Sequence, residues 1–105
     1  MTFAILLFAA VLEAGGDALV RAGLHAPRVA TRAGFFLLGA IALFAYGYVV
    51  NRPAWEFGRL LGVYVVCFFL VAQVISWWFF GQPPARAVWA GGAFIVIGGV
   101  IMSVW

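Results

Sequence analysis

Three charged residues, Glu13, Asp17 and Arg21, fall at i, i+4 and i+8 along the first apolar stretch of the chain. On a helix that spacing puts them on one face. A carboxylate near the middle of a membrane-spanning helix costs roughly 2.5–3.5 kcal/mol on insertion scales, so it persists where a partner, a cavity or a task holds it. Asp17 has a ready partner in Arg21, one turn on and near the helix end. Glu13 has no arginine three or four residues away. Two readings of Glu13 follow. Either its carboxyl is hydrogen-bonded to a neighbouring helix, or it exchanges a proton for a cationic substrate. Burial disfavours the charged form of a carboxyl, and a group balanced in this way can hold a proton or a cation in turn. Leu6, Ala9, Ala10 and Gly16 lie on or beside the same face. The small residues among them leave room for a ligand or let another helix come close, which makes Gly16 a candidate for lining a cavity.

The elements that must position these groups are apolar. The 105 residues are 68% hydrophobic and 9% charged, against about 25% charged in a soluble globular domain. Charge divides the chain into four segments: Thr2 to Val20 with its two acids, then the uncharged runs Ala33 to Val50, Leu60 to Gly81 and Ala87 to Trp105. Each approaches the roughly 17–25 residues that a spanning helix needs. Backbone polar groups in lipid must pair internally, so helices are the expected form. Breakers fall between the segments: Gly23 with Pro27, Asn51-Arg52-Pro53, and Gly81 with Pro83-Pro84. The reading is an all-α membrane protein, a single domain over residues 1–105, with helices near 2–22, 32–51, 56–80 and 85–104. No internal repeat, soluble domain or low-complexity tail is visible. The first residues lack a basic n-region, which predicts no cleaved signal peptide.

Charge and composition exclude several classes. The six basic residues are all arginine and are scattered through connectors, so the net charge of +3 is no nucleic-acid footprint. No nucleophile–base pair or metal-ligand cluster appears, so neither an enzyme nor a metal or cofactor site is expected. The single cysteine, Cys67, reads as an inert packing residue, and His25 as a solvated connector side chain. With four spans both termini share one side. The opposite side holds Arg21, Arg28, Arg32 and Arg86, and the terminal side Arg52 and Arg59. This four-to-two bias is small enough for the chain to insert both ways. Trp55, Trp77, Trp78, Trp89 and Trp105 fall near segment ends, where an aromatic belt is expected. Gln73 and Ser76 are polar groups that either hydrogen-bond across helices or line a cavity. Gly91, Gly92, Gly98 and Gly99 repeat at heptad spacing in the fourth segment, where small residues permit close helix approach in lipid.

Several motifs together resemble those of the small multidrug resistance transporters and their YnfA-type relatives, within the drug/metabolite transporter superfamily. Leu12-Glu13 followed by Gly15-Gly16 resembles the first-helix motif of that family. Ser76-Trp77-Trp78-Phe79-Phe80-Gly81-Gln82 resembles the end of its third helix. Trp89-Ala90-Gly91 through Gly98-Gly99-Val100-Ile101 resembles its fourth. Pro53 to Tyr64, with Gly58-Arg59, is closer to the YnfA type. The resemblance covers nearly the whole chain. It implies a membrane-embedded glutamate, here Glu13, that binds proton or substrate. It also implies an antiparallel homodimer, one chain inserted in both orientations, in the bacterial inner membrane. Two Glu13 side chains would then face one cavity and titrate as a unit. The fourth helices, through Gly91, Gly92, Gly98 and Gly99, would form the dimer seam.

Departures from the family pattern bear on substrate. Multidrug members carry aromatic residues at positions near Leu61 and Tyr64; Leu61 has no ring, while Tyr64 can still stack on a cation. The usual glycine bend of the third helix is replaced by Val65-Val66-Cys67, leaving Gly62 as the nearest substitute. Asp17 stands where the family has a small or hydroxyl residue, and a second acid favours a more polar, hydrogen-bonding cation unless Arg21 neutralises it. Taken with the charged face of the first helix, the resemblance implies a proton-coupled exporter of small organic cations, its site built on Glu13, Asp17 and Tyr64 and lined by Gly16, Leu61 and Gln73. The competing expectation is a non-transporting interaction subunit, or half of a heteromeric carrier for lipid-linked sugars, in which Arg21 and Arg59 would meet anionic head groups.

Overall fold

The computed structural model describes residues 1–105 as four α-helices: α1 (Thr2–Leu24), α2 (Val29–Val50), α3 (Phe57–Phe80) and α4 (Arg86–Val104). All four are long and apolar enough to cross a membrane. The chain is thus a four-span, all-α membrane protein. Helix positions follow the sequence reading except at the first connector. There α1 runs to Leu24 and α2 restarts at Val29, leaving only four residues between them. Gly23 does not break α1, because it stays helical and buried against Phe36. Pro27 precedes the extended Arg28 that caps α2, where its missing N–H costs no helical hydrogen bond. The turn is tied by the Arg32 Nη2 donating to the Ala26 carbonyl at 3.1 Å.

Burial in lipid does not separate apolar side chains from water, so helix contacts here rest on close packing and hydrogen bonds. The α1–α2 pair shows this. A Cβ on Gly16 would lie 2.8 Å from Leu43 Cγ and 3.2 Å from the Gly39 carbonyl, and one on Gly39 would lie 3.1 Å from the Gly16 carbonyl. Two glycines facing each other let the backbones touch. Nearer the start of α1, Leu6, Ala9 and Ala10 are completely buried in a cluster with Val50 of α2 and Leu60, Val63, Tyr64 and Cys67 of α3.

The third helix ends on Gly81, whose φ of 63° and ψ of 28° need a residue without a Cβ. The Gln82 N–H then folds back to the Ser76 carbonyl at 2.9 Å. Pro83 and Pro84 carry the chain into α4, which packs on α3. Two devices hold it there. Gly92 and Gly99 are buried against the Phe69 and Val66 side chains. At the other end, Arg59 near the start of α3 donates from Nε to the Met102 carbonyl at 2.9 Å and from Nη2 to the Ser103 carbonyl at 3.1 Å. A cation on the last carbonyls of a helix satisfies orphan acceptors and opposes the helix dipole. Trp55 covers the guanidinium at 4.9 Å.

The result is a slab of 50 × 34 × 19 Å. With helices about 10 Å across, the thin dimension holds only two layers. One face of α4 carries Phe94, Ile101 and Trp105 outward with 77%, 49% and 97% of their surface exposed.

Candidate functional site

Glu13 is the middle residue of α1, with eleven residues to either end. At 1.5 Å per residue it stands about 16 Å from each terminus of the helix, which places it near the centre of a hydrocarbon core of about 30 Å. The face it shares with Leu6, Ala9 and Ala10 is the face α1 turns toward α3. Tyr64 arrives from α3 and its Oη donates a hydrogen bond to Glu13 Oε1 at 2.7 Å. That length is ordinary for an O–H···O hydrogen bond.

The tyrosine is fixed by its surroundings. Its side chain is 4% exposed. Its ring leans on Tyr46 of α2, centroids 5.4 Å apart at 34°, and on Phe68 of α3 at 6.3 Å and 36°. Such offset, tilted pairs contribute about 0.5–1.5 kcal/mol beyond area burial. Glu13 is thus oriented by a tyrosine that two further rings, from α2 and α3, brace, and it remains only half-buried. No arginine neutralises it: Arg59 is bound to α4 carbonyls, Arg32 to Ala26, and Arg21 to an aromatic face.

Asp17 lies one turn further along α1 and is exposed. It opens into a groove of about 270 Å³ between α1 and the C-terminal half of α3, lined also by Arg21, Phe68, Ser76, Phe80 and Gln82. The expected ion pair between Asp17 and Arg21 does not form. The Arg21 guanidinium lies over the Phe80 ring, 5.4 Å from its centroid. Phe80 offers a cation a flat π-face at the end of α3, and a long, flexible arginine reaches it as easily as the carboxylate below. Phe68 belongs to both regions, stacking on Tyr64 and lining the groove. Phe68 thus links the Glu13–Tyr64 pair to the Asp17 groove, whose wall does not include Glu13 itself.

The remaining sequence-derived candidates are dispersed. Gly16 is buried against Leu43 and Gly39, so it serves the α1–α2 crossing and does not line the cleft. Leu61 is half-buried and packs at the edge of the core cluster. Gln73 faces a separate apolar hollow between α3 and α4, with Phe69, Trp77, Pro84 and Trp89. The fourth-helix glycines split into two pairs. Gly92 and Gly99 are covered by α3 of the same chain, while a Cβ on Gly91 or Gly98 would meet nothing within 4 Å. Sequence reasoning missed Tyr46 and Phe68 as walls of the glutamate site, because nothing in a run of aromatic and aliphatic residues says which ring turns inward. It also missed Arg59 as a clamp on α4. A lone arginine three residues into a helix gives no hint of a carbonyl partner 43 positions away.

A UPF0060 membrane protein of Halalkalibacterium halodurans is 31% identical to this chain over 103 residues, which are 97% of this chain and 93% of the relative. No protein-family model matches the chain, and no solved structure matches it.

Proposed function

The chain belongs to the UPF0060 family of membrane proteins, and from that premise we propose that it is a proton-coupled exporter of small organic cations. It works as an antiparallel, dual-topology homodimer in the bacterial inner membrane. The observation that carries this reading is the Tyr64–Glu13 hydrogen bond at the centre of α1. It marks a mid-membrane carboxyl that is oriented but not neutralised. In the resting state Glu13 holds a proton. An entering organic cation takes its place, and the proton leaves as the carboxyl becomes carboxylate, so one positive charge is exchanged for another. Tyr64 fixes the orientation of the carboxyl, and Phe68, in the wall of the adjacent groove, offers a π-face to the incoming cation.

A slab two helices thick cannot enclose such a site. A second copy facing the α1–α3 cleft closes it and brings two Glu13 side chains to one chamber. The open glycines Gly91 and Gly98, with Phe94, Ile101 and Trp105 on the outward side of α4, supply the contact. Proton release on addition of guanidinium or ammonium compounds to purified protein in weak buffer tests the exchange. The wild type releases protons in proportion to bound cation, and Glu13→Gln releases none. Equal release by both would refute it.

One observation favours a second reading, that of a non-transporting subunit. Glu13 already has a hydrogen-bond partner inside a single chain, which is all that a packing role requires. Under that reading neither protein releases protons and Glu13→Gln keeps its fold.

A further inference from the structure

Asp17 and Arg21 are the natural i, i+4 ion pair of α1, yet they are held apart while lining the same groove. Phe80 takes the guanidinium, and the carboxylate is left facing open space one turn deeper. The groove between them holds about 270 Å³ and has Ser76 and Gln82 in its wall, the Ser76 hydroxyl donating to the Gln82 carbonyl at 3.1 Å. Phe68 joins it to the Glu13–Tyr64 pair. Along α1 the order is therefore Glu13, Asp17, Arg21: two acids toward the membrane centre and one fixed cation outside them, over about 12 Å of helix rise.

The geometry points to a second subsite that reads the far end of the substrate. A molecule whose cationic group sits by Glu13 and Asp17 presents its other end to Arg21, and a planar guanidinium there suits a carboxylate bidentately. The preferred substrate class is accordingly a compact zwitterion, a small guanidinium or ammonium compound carrying a carboxylate, above a simple cation of the same size. With the Ser76 hydroxyl donated to the Gln82 carbonyl, Arg21 is the charged donor offered to that end. The cation–π contact with Phe80 holds Arg21 off Asp17, so that neither charge is cancelled before the ligand arrives.

This inference rests on the transport reading, and a matched pair of probes separates the two. Methylguanidine and guanidinoacetate share a guanidinium and differ by one carboxylate. Binding of each to the purified full chain is measured by calorimetry, for wild type, Arg21→Gln, Arg21→Lys and Glu13→Gln. A hydrogen-bonded charge pair supports a preference of about tenfold or more for guanidinoacetate in the wild type. Arg21→Gln loses or reverses that preference. Arg21→Lys, which keeps the charge but not the fork, gives an intermediate ratio. Methylguanidine bound as tightly as guanidinoacetate by the wild type overturns the subsite and leaves the exporter standing. An Arg21→Gln protein that retains the wild-type ratio does the same, as it would were Arg21 engaged with a lipid phosphate. A wild type that binds neither probe, or a Glu13→Gln protein that binds both unchanged, overturns the exporter and the subsite together.

Discussion

Tyr64 and Glu13 are 51 positions apart in the chain and 2.7 Å apart in space, with the phenol as donor and the carboxyl as acceptor. Removing the hydroxyl while keeping the ring isolates that bond. Tyr64→Phe preserves the stacking on Tyr46 and Phe68, so the fold persists. The carboxyl then loses the donor that orients it, and substrate-driven proton release at a fixed cation concentration should fall. The loss of one interhelical hydrogen bond in the membrane should lower stability by about 0.6 kcal/mol, and by no more than about 1.7. Proton release by Tyr64→Phe measured beside the wild type checks this, and release at the wild-type level would mean the bond does not bear on the exchange.

The fourth-helix glycines allow a paired test. Gly99 is covered by Val66, and a larger side chain there must push α4 off α3 within one chain. Overpacking of that kind costs about 1–3 kcal/mol or more. Gly98 has open space around its Cβ position. Gly99→Leu should lower thermal stability and yield of the monomer fold, while Gly98→Leu should leave stability near the wild type and reduce dimer crosslinking in membranes. Equal crosslinking by wild type and Gly98→Leu would put the seam on another surface.

Arg59 is expected to fasten α4. Its fork satisfies the Met102 and Ser103 carbonyls at the helix end. Arg59→Gln removes the charge and the fork, and amide exchange over residues 99–105 should quicken by about tenfold or more. Arg59→Lys should fall between, since an ammonium is a point charge and not a planar fork. If exchange in that stretch is the same in all three proteins, the clamp contributes nothing.

Topology has its own measurement. With four spans, the termini and the Asn51–Pro53 connector lie on one side of the membrane in any single molecule. Single cysteines introduced there, in a Cys67→Ala background, should share accessibility. Dual insertion predicts that each such site is labelled from both sides across the population. Labelling of the termini and the connector from opposite sides would contradict the four-span arrangement.

How much of this was legible in the sequence depended on the kind of signal. The four helices were, because a spanning run with breakers at Asn51-Arg52-Pro53 and Pro83-Pro84 leaves little choice of form. Glu13 was, because an isolated acid in an apolar run stands out by its cost. Tyr64 was named as a wall through the family resemblance. Its actual role as hydrogen-bond donor to Glu13 depends on the phase of α3 against α1, which composition does not encode. The Asp17–Arg21 pair failed for a related reason. Helical spacing said that they could meet, but the choice belonged to Phe80, 59 residues beyond Arg21 in the chain. The glycine pairs show the same limit, since spacing identified all four and only packing separated Gly92 and Gly99 from Gly91 and Gly98.

The central claim is that Glu13 carries the proton that is exchanged. Purified protein in vesicles, with an imposed pH gradient and a labelled guanidinium compound outside, tests it most directly. Glu13→Gln keeps the shape of the side chain and its hydrogen bond with Tyr64 but cannot release a proton. The wild type should accumulate the cation in response to the gradient, and Glu13→Gln should show no gradient-driven uptake although it folds and dimerises normally. Gradient-driven uptake by Glu13→Gln at the wild-type rate would contradict the account.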